Sequence, residues 1–139
     1  VKLNTFAKKL ERMNIPAELK YTKDHEWVKL EGEDVAVVGI TEYAQHALGD
    51  LVYIELPKLG ATYTKGANFA VVESVKTAAE VYTPVTGEVI RVNDALESNF
   101  DLLKSDTDGW IAKFKMTNAE ELASLMDDAA YQDYLKTVD

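Results

Sequence analysis

The chain has 139 residues, 47% hydrophobic and 28% charged, which is enough for one domain with a real core and short terminal appendages. It has no cysteine, which excludes disulfides, thiolate metal sites and cysteine catalysis. No apolar run approaches the roughly 18 residues of a membrane-crossing helix. Its net charge of −9, from 24 acids and 15 bases, argues against nucleic acid as a main partner and suits docking to basic patches on other proteins.

The first twelve residues differ from the rest. Lys2, Lys8, Lys9 and Arg12 face a single acid, Glu11, so all the excess negative charge lies downstream. Leu3, Phe6, Ala7 and Leu10 fall at the spacing of an amphipathic helix. Three readings of this segment stand open: a fusion remnant ahead of a native start at Met13, the tail of an organelle-targeting segment, or a surface helix. Residues 1–16 are therefore read as an N-terminal extension and residues 17–139 as the functional domain. No secretory signal peptide is expected.

After Pro16 the pattern turns to strands. Glu26 to Leu30 is a short strand, Glu31-Gly32-Glu33-Asp34 a turn, and Val35 to Ile40 a buried strand. Thr41 caps a short helix, Glu42 to Leu48, stopped at Gly49. Leu51 to Leu56 alternates as a strand, Pro57 and Gly60 punctuate a turn, and Ala61 to Thr64 is a short strand. A central hairpin follows, Asn68 to Val75 and Ala78 to Tyr82. Strands are also expected over Glu88 to Val92 and Trp110 to Lys115, with Ile111 and Lys113 on one face of the latter. Thr117-Asn118-Ala119-Glu120 reads as a capping box that starts a helix with Leu122 and Leu125 inward, and a second helix spans Ala129 to Lys136. Residues 34–40 and 86–92 echo each other weakly, as equivalent strands of two similar halves would. Short strands at close spacing plus terminal helices predict a mainly β fold, a small sandwich or flattened barrel.

Catalytic chemistry is hard to find. His25 and His46 lie 21 residues apart, and neither has a second histidine or a cysteine at helical spacing to share a metal. There is no Gly-x-Ser-x-Gly elbow and no phosphate-cradling glycine loop. Nothing marks a shielded, pKa-shifted acid or base. Asp24-His25-Glu26-Trp27 reads as a strand start with a core tryptophan and an incidental histidine, and Trp110 as a core anchor. What remains is Lys76, in Val72-Glu73-Ser74-Val75-Lys76-Thr77-Ala78-Ala79-Glu80, at the link between two β-prone stretches. A lysine at a hairpin tip is a poor catalyst. It either blunts the turn or serves as an attachment point for a prosthetic group.

Several blocks extend this pattern: Asp24-His25-Glu26-Trp27, Gly39-Ile40-Thr41-Glu42-Tyr43-Ala44-Gln45, Leu48-Gly49-Asp50-Leu51-Val52-Tyr53-Ile54-Glu55-Leu56-Pro57, Glu73-Ser74-Val75-Lys76-Thr77-Ala78, Pro84-Val85-Thr86-Gly87-Glu88-Val89, Val92-Asn93-Asp94-Ala95-Leu96 and Asp108-Gly109-Trp110. In this order and spacing, residues 17–136 resemble the glycine cleavage H-protein family. The resemblance implies a lipoyl-domain-like fold of two sheets packed face to face, with short helices and a C-terminal helical segment. It implies lipoate in amide linkage on Lys76, with Glu73, Gly60 and Gly87 read by the lipoate ligase or lipoyl transferase. It also implies a non-catalytic, monomeric carrier that shuttles an aminomethyl group. The group comes from a pyridoxal-phosphate glycine decarboxylase and goes to a folate-dependent aminomethyltransferase, after which dihydrolipoamide dehydrogenase reoxidises the arm. Glu26 and Glu80 align with acids of a cleft that shelters the loaded arm. The implied setting is the bacterial cytoplasm, or the mitochondrial matrix in a eukaryote.

The chain departs from the family pattern at three points. Thr77 stands for a usual alanine, Glu80 for a usual aspartate, and Ala47 where some members carry histidine. A biotin carrier would place Met-Lys-Met where Val75-Lys76-Thr77 stands, and a 2-oxoacid dehydrogenase lipoyl domain would carry Asp-Lys-Ala. A lipoate donor in lipoyl relay, a sulfur carrier, and an interaction module with Lys76 unmodified also stand open as readings; Glu73 speaks against the last.

Overall fold

The computed structural model describes residues 15–105 and 108–138. The basic helix expected over Leu3 to Leu10 lies outside the described residues, as does most of the N-terminal extension. Two antiparallel sheets make the fold. The larger is ordered β1 (Lys20–Tyr21), β2 (Glu26–Glu31), β3 (Val35–Ile40), β9 (Ala112–Met116), β8 (Gly87–Val92), β5 (Thr62–Tyr63). The smaller is ordered β4 (Leu51–Glu55), β6 (Asn68–Ser74), β7 (Ala78–Tyr82). The two echoing segments both fall in the larger sheet, as β3 and β8 on either side of β9.

The main core lies between the sheets. Val28, Val38, Val89 and Phe114 come from the larger sheet and Ile54, Phe69, Val72 and Val81 from the smaller, as period-2 alternation requires. Phe69 meets Phe114 edge-on, with centroids 5.1 Å apart. A second cluster forms on the other face of β2 and β3, where Trp27 and Val37 pack with Leu19, Tyr21, Tyr131 and Leu135. Its cover is the C-terminal helix α3 (Asp128–Leu135), capped by Asp127. Burial on both faces explains why β3 reads as a continuous apolar run rather than an alternating one. Among the described residues no helix is long and apolar enough to cross a membrane.

Helix α1 (Glu42–Leu48) forms as expected, capped by the Thr41 hydroxyl and ended at Gly49. Elsewhere tertiary structure overrides local pattern. A bulge between Leu51 and Tyr53 leaves Val52 and Tyr53 both exposed and only Ile54 of that strand fully buried. The strand expected from Trp110 begins at Ala112, and both Ile111 and Ala112 are buried. Ile111 N–H donates to Val38 O at 2.7 Å before the strand proper starts. Trp110 is half-buried at the rim of the second cluster rather than a core anchor, with Lys113 Nζ 5.2 Å from its ring centre. The segment after Thr117 is a 3-10 turn, Ala119–Ser124, capped by Asn118. Thr117 is drawn away instead, with its N–H and hydroxyl both directed at Thr86 O. Between β8 and β9, helix α2 (Ala95–Ser98) and a 3-10 turn (Phe100–Lys104) bury Leu96 and Leu103 completely, with no periodic signal in the sequence to announce them.

Candidate functional site

Lys76 stands on a two-residue hairpin tip. Strands β6 and β7 pair Val72 with Ala79 and Glu73 with Ala78, and Ser74 N–H donates to Thr77 O at 2.8 Å to close the ladder. The Ser74 hydroxyl accepts from the N–H groups of Lys76 (3.3 Å) and Thr77 (3.2 Å) and donates to Thr77 O. Val75 N–H donates to Asp50 O at 3.0 Å, which ties the tip to the loop after α1. The backbone under Lys76 is therefore held from both sides, while its side chain is exposed and its ammonium makes no ion pair or hydrogen bond among the described residues. Gly49, at φ 82°, lies beneath it: a Cβ there would sit 3.7 Å from Lys76 Cε. Glu73 is half-buried, three residues upstream, with Tyr53 and Ala78 as its cross-strand neighbours.

A cleft of about 180 Å³ opens beside this tip, between α1 and the hairpin. Ala44, Ala47 and Leu48 of α1 and Val72 and Ala79 of the hairpin give it apolar walls, and Asp24, Glu26 and Glu80 add carboxylates. Lys76 precedes Glu80 by four residues, the last of them in β7, a span of at most about 13 Å.

Glu26 is only 2% exposed. Thr22 Oγ1 donates to its Oε1 at 2.7 Å, Tyr82 N–H reaches its Oε2 at 3.4 Å, and Glu26 N–H donates back to Thr22 Oγ1. Burial pushes its carboxyl up to about 7; the Thr22 hydrogen bond opposes this, the nearby Asp24 charge adds to it, and the Tyr82 N–H opposes it. Glu80 is exposed and accepts from Tyr82 Oη at 3.0 Å. His25 precedes Glu26 with φ 70°, a left-handed conformation that costs on the order of 1–3 kcal/mol in a non-glycine residue. It is held by His25 N–H to Thr22 O (3.1 Å), by Thr41 N–H to its own carbonyl (2.9 Å), and by its ring Nδ1 at 2.8 Å from Tyr131 Oη. Burial lowers its imidazole pKa, with Asp24 working the other way.

Of the residues singled out from sequence, Glu26 and Glu80 line one cleft; Lys76 stands outside its lining, on the tip of the hairpin that walls it and over Gly49, and Glu73 is on β6. Gly87 opens β8 of the larger sheet, and Gly60 lies in the turn before β5. Gly60 occupies a turn at φ 86°, its N–H donating to Val89 O, and a Cβ on Gly87 would collide with Lys115 O. Each thus has a backbone reason of its own. Two sequence readings are corrected here. Trp27 is a core tryptophan, but His25 is not incidental. Glu26 is a shielded, pKa-shifted acid, although nothing in the residue pattern marks one. Thr22, Tyr82 and Tyr131, which support these two, escape a reading of the sequence, and Thr41 is legible there only as the cap of α1; Tyr131 lies 106 residues from His25, and no local signal joins them. Among the described residues no group of three or more His, Cys, Asp or Glu is placed to hold a metal ion.

Comparison with known proteins gives one consistent result. The model of the glycine cleavage H-protein family matches residues 19–138. The glycine cleavage system H protein of Klebsiella pneumoniae subsp. pneumoniae is 50% identical over 125 residues, covering 88% of this chain and 97% of that protein. That of Sodalis glossinidius is 52% identical over 121 residues, covering 86% and 92%. The crystal structure of a glycine cleavage system H protein from Mycobacterium marinum superposes with a TM-score of 0.77 at 32% identity, covering 86% of this chain and 97% of that one.

Proposed function

The chain belongs to the glycine cleavage H-protein family, and on that premise we propose that it is a non-catalytic carrier bearing lipoate in amide linkage on Lys76. One observation carries the reading: an exposed lysine, unpaired among the described residues, on the rigid tip of a hairpin whose Val72, Ala79 and Glu80 line an apolar cleft edged with carboxylates. Lysine and lipoyl together make an arm of about 14 Å, long enough to reach from Lys76 to Glu80, at most about 13 Å away along the chain. When attached, the group supplies a dithiolane that takes up an aminomethyl unit on sulfur and delivers it elsewhere, chemistry that side chains lack.

The chain's own residues do the holding. The apolar walls accept an aliphatic arm and keep water from it. Glu26 and Glu80 offer carboxylates to an ammonium. Glu26 is poised: with its carboxyl raised to about 7, it is half-protonated near neutrality, and a cation beside it favours the ionised form. Taking a cationic cargo below pH 7 therefore expels a proton from Glu26, and retention strengthens as pH rises through about 7. Glu73, beside the tip, is a recognition point for the lipoate ligase or lipoyl transferase; Gly60 and Gly87 serve that recognition through the backbone shapes they permit. The partners that follow are glycine decarboxylase, aminomethyltransferase and dihydrolipoamide dehydrogenase, met through an acidic surface. The test is Lys76→Arg in a system reconstituted from those enzymes. It should abolish glycine-dependent turnover while leaving the fold intact; retained turnover would overturn the reading.

A further inference from the structure

Behind the cleft, the segment before β2 meets the C-terminal helix through a polar contact set in apolar surroundings. Tyr131 is fully buried, yet its hydroxyl has two partners, Thr41 Oγ1 at 2.7 Å and His25 Nδ1 at 2.8 Å. Thr41, itself buried, already accepts Ala44 N–H as the cap of α1. Its own proton has no other acceptor among the described residues, so it goes to the tyrosine oxygen. The Tyr131 proton then goes to His25 Nδ1. A ring nitrogen that accepts a hydrogen bond carries no proton, which leaves the imidazole proton on Nε2. His25 is among the residues that line the cleft, its ring centre is 4.5 Å from that of Tyr43, which lines it too, and its Nε2 has no hydrogen-bond partner among the described residues. The left-handed backbone at His25 is the strain accepted to present it there.

We propose that the C-terminal helix, through the Tyr131 hydroxyl, fixes His25 as a neutral N–H donor on the cleft wall, making His25 a further contact for whatever the cleft holds and Tyr131 its positioning residue. This rests on the carrier reading of Lys76. A neutral donor suits the place. The carboxylates of Glu26 and Glu80 meet the cationic end of the occupant, a protonated imidazole would repel that end, and an uncharged N–H binds a carbonyl oxygen or sulfur of the same occupant. The groups facing His25 are Asp24 and Glu26 beside it, Tyr43 from α1, Tyr131 and Tyr134 from α3, and Glu80 across the cleft. Burial lowers the His25 pKa and the Asp24 charge raises it, while the hydrogen bond accepted from Tyr131 is made by the neutral ring.

The test begins on unmodified protein, by nitrogen NMR of the imidazoles in wild type and Tyr131→Phe, a change that keeps the ring stacked 4.7 Å from Tyr21. Wild-type His25 should show the Nε2–H tautomer alone. In Tyr131→Phe it should become a tautomer mixture that titrates at higher pH. Lipoylated, reduced protein is then loaded from formaldehyde and ammonium (thiol, formaldehyde and ammonium give aminomethyl thioether and water), and ammonia release is timed. His25→Leu should lose the cargo about fivefold faster, the factor one neutral hydrogen bond commands, and His25→Gln, which keeps a neutral N–H donor, should recover much of the lifetime. An Nδ1–H tautomer in wild type, or a ring indifferent to Tyr131→Phe, overturns the relay. A His25→Leu lifetime equal to wild type overturns the contact. Both are distinct from failure of the carrier reading, which shows as a Lys76 that takes no lipoate.

Discussion

The hairpin tip at Lys76 and the acid end of the cleft at Glu80 and Glu26 are built in different ways. The tip is local: Ser74, Val75, Lys76 and Thr77 supply nearly all its hydrogen bonds, and the result is an exposed amine on a fixed base. The acid end is assembled from afar, with Tyr82 N–H reaching Glu26 across 56 residues of sequence and Tyr131 reaching His25 across 106. A place of attachment has only to be accessible and steady. A place of shelter has to exclude water, and exclusion needs several elements to close on one point. That closure is also what shifts Glu26.

Four substitutions probe this division. The largest effect belongs to Lys76→Arg: lipoylation and glycine-dependent turnover fall to background while thermal unfolding is unchanged, because the tip has no packing to lose. Gly87→Ala strikes neither end directly. Its Cβ would press on the Lys115 backbone, which cannot rotate away, so it should cost about 3 kcal/mol in urea unfolding, and any loss of lipoylation should track loss of fold. Glu26→Gln separates holding from stability. The Glu26 carboxyl is raised from 4.5 to about 7, so between those pH values the folded chain binds more protons than the unfolded one, and stability is lost as pH rises through 7. The variant should therefore gain on the order of 3 kcal/mol at pH 8, with the gain vanishing near pH 4, yet release an aminomethyl cargo faster. A variant no more stable than wild type at pH 8 would mean that Glu26 is not shielded. Smallest is Ser74→Ala, which removes the hydroxyl bridging the tip. It should cost about 1 kcal/mol and speed amide exchange at Lys76 and Thr77, with no change in His25 or Glu26.

The same division decides what can be read from the sequence. The hairpin and its lysine are legible because β6, the tip and β7 are contiguous, and so are α1 with its Thr41 cap and the two-sheet architecture. Where both faces of a strand are apolar, pattern fails: Leu51 to Ile54 alternates equally well in either register, and only the bulge decides that Val52 and Tyr53 face out. The Thr117 capping box fails because that residue bonds Thr86, just ahead of the neighbouring strand β8, a partner no local window contains. At the cleft, Glu26 is visible as an aligned acid, but its shielding is not, since Thr22 and Tyr82 become its neighbours only when the fold closes. The left-handed conformation of His25 carries no sequence signal at all.

The central claim is that Lys76 carries lipoate, and intact mass with peptide mapping tests it most directly, after incubation with lipoate, ATP and a lipoate ligase. A lipoyl-sized gain confined to the peptide containing Lys76, and absent from Lys76→Arg, is the result expected. No gain on a folded sample, or a gain spread over other lysines, would contradict it and bring forward an interaction module whose hairpin lysine stays bare.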